Sequence, residues 1–140
     1  MNKLALALFS TLISVTAFAA DTAKTISVKV EGIHKASGTI YLTGYNNSSD
    51  FSAFENPTFS QVHVVTKKSE TLEITIPSDG EYAFSVYVDQ NANDKIDSNA
   101  MGIPKEPYAF SGNVSPFGPP SYEAAKVDVK SGDTLILKVR

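Results

Sequence analysis

In Tyr82-Ala83-Phe84-Ser85-Val86-Tyr87-Val88, large apolar side chains at every second position alternate with Ala83, Ser85 and Tyr87. A period of two places residues 82, 84, 86 and 88 on one side of a pleated strand, and this is the cleanest such row in the chain, as expected of a central strand. The same period recurs upstream, where Ile26, Val28 and Val30 alternate with Ser27, Lys29 and Glu31, and Ile40 and Leu42 with Tyr41, Thr43 and Tyr45. Residues 59–66 form a run rich in β-branched side chains, and Leu72, Ile74 and Ile76 alternate strictly. Downstream, Val127 and Val129 precede the turn Ser131-Gly132-Asp133, with Leu135, Leu137 and Val139 after it. Pro77-Ser78-Asp79-Gly80 punctuates as a further turn. Beyond the N-terminal stretch no window shows a 3.6-residue apolar period. The expectation is an all-β chain forming a single antiparallel β-sandwich of about seven strands, immunoglobulin-like or transthyretin-like. Asp79-Gly80-Glu81-Tyr82 fits a tyrosine corner, in which the phenol bonds back to the turn before it, and equally fits a plain core tyrosine.

The N-terminus reads differently. Lys3 leads an uncharged apolar run over residues 4–15 that ends in Ala17-Phe18-Ala19, the order of a secretory signal peptide cleaved after Ala19. That run is shorter than the roughly 20 residues a spanning helix needs, so no membrane span is expected. Residues 1–19 are therefore assigned as a signal peptide and residues 20–140 as one domain, exported to the periplasm or secreted. The chain has no Cys, so neither a lipid anchor nor a disulfide is available, and packing or a bound ion must supply stability. Of 12 basic and 15 acidic side chains the signal carries only Lys3, leaving 11 against 15 and a net charge of −4. Lys67-Lys68 is the only adjacent basic pair, which excludes the clustered cations that nucleic acid requires.

After Asp89 the alternation stops for about 35 residues, a length that in a compact domain is functional or tied down. The loop Asp89-Gln90-Asn91-Ala92-Asn93-Asp94-Lys95-Ile96-Asp97 carries oxygen-bearing side chains at positions 1, 3, 5 and 9. Calcium takes hard oxygens from alternating residues of a tight loop, and a backbone carbonyl at position 7 adds a ligand without charge. The expected metal ligands are thus Asp89, Asn91, Asn93, the Lys95 carbonyl and Asp97, with calcium as the ion. Position 6, where a sharp turn favours Gly, is Asp94, a residue that enters the left-handed region more readily than most. Position 12 is Ala100 instead of a bidentate Glu, which excludes a helix-loop-helix calcium site and leaves Asp94 or Glu106 to complete the shell. The competing reading is a loop of Asx-turns that cap their own backbone.

This loop with Val88 before it, followed by Gly102-Ile103-Pro104-Lys105-Glu106-Pro107-Tyr108-Ala109-Phe110-Ser111 and by Gly118-Pro119-Pro120-Ser121-Tyr122, resembles the bacterial exported family called domain of unknown function 2141. The likeness extends more loosely through Gly80-Glu81-Tyr82 to the last strands. The family pattern usually has Gly at the place of Asp94 and often His at the place of Val88. The resemblance implies a sandwich fold and an envelope location, and it implies no activity.

The stretch from 104 to 122 sets Tyr108, Phe110, Phe117 and Tyr122 among Pro107, Pro116, Pro119 and Pro120. Rigid backbone there holds rings at low entropic cost, either as a plug closing one end of the sandwich, which is favoured, or as an exposed ligand platform. Residues 46–57, with Phe51 and Phe54, allow the same two readings. His34 and His63 lie in separate segments without a Cys partner, and no nucleophile-elbow, zinc-protease or phosphate-loop motif occurs. The function expected is a non-catalytic envelope module, stabilised by a calcium-like ion, that binds a protein or glycan. The alternatives are a hydrolase with its active site in the acidic loop, and a purely structural domain with no bound ion.

Overall fold

The computed structural model describes residues 23–113 and 117–140, so the expected signal peptide and its cleavage point lie outside the described residues, as does Pro116. Each alternating row becomes a strand. In chain order these are β1 (Lys24–Glu31), β2 (Thr39–Tyr45), β3 (Phe59–Val64), β4 (Glu70–Ile76), β5 (Gly80–Asp89), β6 (Tyr108–Phe110), β7 (Lys126–Val129) and β8 (Thr134–Lys138). They form two open sheets, one of order β4-β1-β8 and one of order β3-β2-β5-β6 in which β7 also pairs with β5. β5 is central, as its row implies. One side pairs with β2 from Thr39↔Asp89 to Tyr45↔Ala83, while the other is shared by β7 at Gly80–Ala83 and β6 at Ser85–Tyr87.

The expectation of a wholly antiparallel chain is corrected at one place: β8 runs parallel to β1, from Ser27↔Thr134 to Glu31↔Lys138. The turn between β7 and β8 carries the chain from the larger sheet to the smaller one, so the two strands it joins do not pair with each other. Gly132 takes φ 91° at that turn, and the Asp133 N–H closes it on the Lys130 carbonyl at 3.0 Å.

The inward rows of both sheets meet in one hydrophobic cluster. Ile26, Val28, Val30, Leu72, Ile74, Ile76 and Leu137 come from the smaller sheet, and Ile40, Leu42, Tyr82, Phe84, Val86, Val88 and Val129 from the larger, every one at most 4% exposed. Burying a side chain of this size contributes roughly 1.5–3 kcal/mol before chain entropy is counted. Where the inward row of β2 reaches Gly44, the Phe59 ring of β3 fills the missing volume, and a Cβ on Gly44 would meet its Cζ at 2.0 Å. The Tyr82 hydroxyl donates to the Ser78 carbonyl at 2.8 Å, which settles the choice left open in the sequence: the phenol does bond back to its turn.

Two short helices occupy stretches with no helical period. α1 (Ser48–Ala53) starts at Asn47, whose Oδ1 accepts the Asp50 N–H at 2.9 Å while its Nδ2 donates to the Asp50 carboxylate at 2.7 Å. Phe54, in the left-handed region at φ 53°, ends it. α2 (Tyr122–Ala125) is capped by Ser121, which accepts the Ala124 N–H at 3.3 Å. Both lie on the outer face of the larger sheet, where Phe51 and Tyr122 pack with Tyr45, Ala83 and Ala125 in a second cluster. The aromatic stretch is therefore corrected in position, because Tyr122 and Phe110 cover the back of the sheet and do not close an end of the main core. Ser111 fastens this layer, its hydroxyl accepting the Phe84 N–H at 2.7 Å and donating to the Ala125 carbonyl at 2.6 Å.

Candidate functional site: an acidic loop walling an aromatic groove

β5 ends in Asp89, an outward-facing residue that is only 1% exposed because the loop folds over it. Its Oδ1 accepts the N–H groups of Asn91 at 3.1 Å and Ala92 at 2.8 Å, and its Oδ2 that of Asp94 at 2.8 Å. Burial alone would raise this carboxyl, but the backbone donors of Asp94, Asn91, Ala92 and Asn93 outweigh it and hold Asp89 below the ordinary aspartate range. The motif then repeats at shorter range. Asn91 Oδ1 accepts the Asn93 N–H at 3.3 Å and Asn93 Oδ1 the Lys95 N–H at 3.1 Å, two successive Asx-turns. Asp94 adopts φ 59°, the left-handed conformation that position 6 demands, and Ala92 shares it.

Both asparagine side chains also reach Asp97. Asn91 Nδ2 donates to Asp97 Oδ2, and Asn93 Nδ2 to both carboxylate oxygens at 3.0 Å. Glu106, 7% exposed, clamps the two ends of the loop by accepting the Gln90 N–H at 2.9 Å and the Asp97 N–H at 3.1 Å. The structure thus brings Asp89, Asn91, Asn93 and Asp97 into one hydrogen-bonded loop, with Asp94 turned away to accept the Tyr41 phenol and Ala100 exposed in a later turn. Among the described residues no three His, Cys, Asp or Glu side chains converge as a metal-holding group, but a calcium shell also draws on amide and carbonyl oxygens. Asp89 Oδ2 accepts one bond and retains a lone pair, and two amide donors already converge on Asp97 where a cation would neutralise the same charge. An ion would require each amide to turn over, exchanging the 3.3 and 3.1 Å Asx bonds for metal–oxygen bonds.

The loop also walls a groove on the outer face of the larger sheet. Register sets Tyr41, Tyr87 and Tyr108 side by side across β2, β5 and β6, with Thr43, Ser85 and Phe110 in the next row, all on the outer face. The Tyr41 and Tyr87 rings stack at 4.9 Å and 8°, and the bond to Asp94, ahead of burial, pushes the Tyr41 phenol up to about 12. Burial is the first cause of the raised Tyr87 phenol, with Asp89 the next. These rows floor a groove of about 730 Å³. Ile96 and the segment 101–104 form one wall, and Phe54 and Pro119 contribute from the α1 side and the proline-rich stretch. Met101 is 80% exposed at this rim. Tyr41 and Tyr87 were legible only as the outward members of alternating rows, and the register that pairs them was the missing signal.

Elsewhere His63 lies 3.3 Å from the buried Glu70, and His34 is exposed in a loop. Glu70 Oε1 accepts the N–H groups of Thr66 at 2.6 Å and Lys67 at 2.8 Å, with the Thr66 hydroxyl at 2.9 Å. The Thr66 backbone donor, against burial and with Lys67, the Thr66 hydroxyl and His63 helping, lowers Glu70 to about 2. Among the described residues no helix is long and apolar enough to cross a membrane.

No curated protein and no solved structure matches this chain. Residues 28–136, a span running from β1 to β8 that includes the acidic loop and the groove floor, match the family described as "Uncharacterized protein conserved in bacteria (DUF2141)". Strands β2 to β7, the loop that follows β5 and the segment 102–122 all fall within that match, with β1 and β8 partly inside it, and the chain belongs to this bacterial family.

Proposed function

We propose that the protein is an exported, non-catalytic module of the bacterial envelope, a β-sandwich of immunoglobulin-like or transthyretin-like kind that binds a protein or glycan in its outer-face groove. A calcium-like ion, held by Asp89, Asn91, Asn93, the Lys95 carbonyl and Asp97, stabilises the loop that walls the groove. The observation that carries this reading is the shared construction of the two features: Ile96 lies between loop residues and lines the groove, while Asp94 holds the phenol of Tyr41 on the groove floor. Among the described residues the lining contains no Asp, Glu, His, Lys or Arg, so its Ser, Thr and Tyr hydroxyls have no base in the groove to activate them.

Titration calorimetry of the mature chain with calcium tests the ion. About five oxygens from the loop suit an affinity in the extracellular-module range of roughly 10⁻⁴ to 10⁻³ M. The heat is expected to vanish in Asp97→Asn. If wild type and Asp97→Asn give the same response at every calcium concentration, the loop is an Asx-turn scaffold. Export is tested by sequencing the N-terminus of protein recovered from the envelope, which should begin at Ala20; retained Met1 would refute the signal peptide.

A further inference from the structure

Donor and acceptor chemistry in the groove narrows its occupant. Among the described residues no charged side chain lines it, although charged residues make up 19% of the chain, and the two charges that reach its floor are engaged there, Asp94 by the Tyr41 phenol and Arg140 over the Tyr108 ring at 5.8 Å. No carboxylate or side-chain amide lines it either, and its polar side chains are hydroxyls. The phenols of Tyr87 and Tyr108 make no hydrogen bond to any described residue, whereas Tyr41 is committed to Asp94 and Thr43 to the Ser85 carbonyl. The groove is therefore mostly apolar, with a few unpaired hydroxyls and no carboxylate or amide acceptor among its described residues. A sugar chain carries a hydroxyl on most of its carbons, more than the few hydroxyls of this apolar lining can pair, and each one buried unpaired costs free energy. A proline-rich peptide is the opposite case, with backbone carbonyls to accept, no proline N–H to satisfy, apolar rings to bury and little entropy left to lose.

We infer that the groove over Tyr41, Tyr87 and Tyr108 binds an uncharged, proline-rich peptide segment of a partner protein in extended polyproline conformation. The inference rests on the groove being a binding site, as proposed above. The paired Tyr41 and Tyr87 rings, stacked at 8° and anchored through Asp94, form a ridge fixed before any ligand arrives, which suits the docking of proline rings between aromatic ones. Strand addition at the near edge is blocked beside Tyr108, where Arg140 already exchanges backbone bonds at 3.2 and 3.3 Å.

The test uses the mature chain with three uncharged probes: end-capped decaproline, a Gly-Ser peptide of equal length, and an N-acetylglucosamine hexamer. Calorimetry measures affinity, and NMR shifts of the tyrosine rings locate the site. Decaproline is expected to bind saturably and to shift the Tyr87 and Tyr108 rings, with the Gly-Ser peptide at least about tenfold weaker. Tyr87→Ala and the rim variant Met101→Ala, whose exposure spares the fold, should each weaken decaproline, the former by about tenfold or more and Tyr87→Phe by about fivefold. Equal binding of the two peptides, or decaproline binding unchanged in Tyr87→Ala and Met101→Ala, overturns the inference. Binding of the hexamer alone with the same ring shifts also overturns it while leaving the groove a ligand site. If none of the three shifts these rings, and both variants leave capture of envelope proteins and glycans unchanged, the groove reading falls as well.

Discussion

The two faces of β5 share one backbone and bury their side chains by different means. Inward, Tyr82, Phe84, Val86 and Val88 are covered by the opposite sheet. Outward, Ala83 lies in the second aromatic cluster, Ser85 and Tyr87 floor the groove, and Asp89 is sealed by its own loop. The inward row needs only apolar volume, a requirement many side chains meet. The outward row makes particular bonds to particular segments, so its residues carry the specificity of the molecule more than its stability.

The largest expected contrast between the faces is in cavity cost. Phe84→Ala should destabilise by roughly 3–5 kcal/mol, because the ring is fully buried and the sheets collapse only partly around the void. Tyr87→Ala, half-buried at an open groove, should cost under about 1.5 kcal/mol. Urea unfolding of the two variants checks this, and equal losses would mean that the outer layer belongs to the core. Asp89 comes next. Asp89→Ala should cost about 1–3 kcal/mol by orphaning the N–H groups of Asn91, Ala92 and Asp94, and this loss should appear with or without calcium. Smaller again is Tyr82→Phe, about 1 kcal/mol for the bond to Ser78, against no more than about 0.5 kcal/mol for Tyr41→Phe, whose bond to Asp94 is exposed, read from melting temperatures.

A further contrast lies in the pH dependence of stability and compares two carboxylates. Glu70 ends the inward row of β4 as Asp89 ends the outward row of β5. Glu70 is lowered from 4.5 to about 2 in the folded chain, so its contribution is complete above pH 4.5 and is lost as pH falls toward 2. Asp89 is lowered as well, so its contribution is complete above its ordinary 3.8 and fades below that. Glu70→Gln should flatten the acid limb of the stability curve between pH 4.5 and 2. A variant curve parallel to wild type would show that Glu70 gains nothing from its backbone donors.

Most of the strands could be read from the chain because their period is short, so that even the two-residue rows Ile40 with Leu42 and Val127 with Val129 show it. β6 escaped because three residues give no period, and Ala109 is its only inward member. α1 and α2, six and four residues long, span too few turns to show a 3.6-residue stripe, although the cap pair Asn47 and Asp50 was a usable start signal. In the acidic loop, spacing found the right residues but could not tell a ligand from a cap, since both uses aim oxygens inward. Glu106 was visible only as a candidate, and its clamp on Gln90 and Asp97 depends on the fold of residues 98–105. The groove could not be read at all, because it arises from register across three strands.

The parallel pairing of β1 with β8 has a consequence for the order of folding. β1 is the middle strand of its sheet, yet one of its two neighbours lies more than 100 residues further along, between Thr134 and Lys138. A chain made from its N-terminus can join β1 to β4 early, but the other edge of β1 stays open until β8 emerges. Closing so long a loop is entropically slow, and rates fall as such non-local contacts dominate. The domain should therefore fold late and as a whole, spending its synthesis as an incomplete sheet with one unpaired edge, which is the state that holding chaperones recognise.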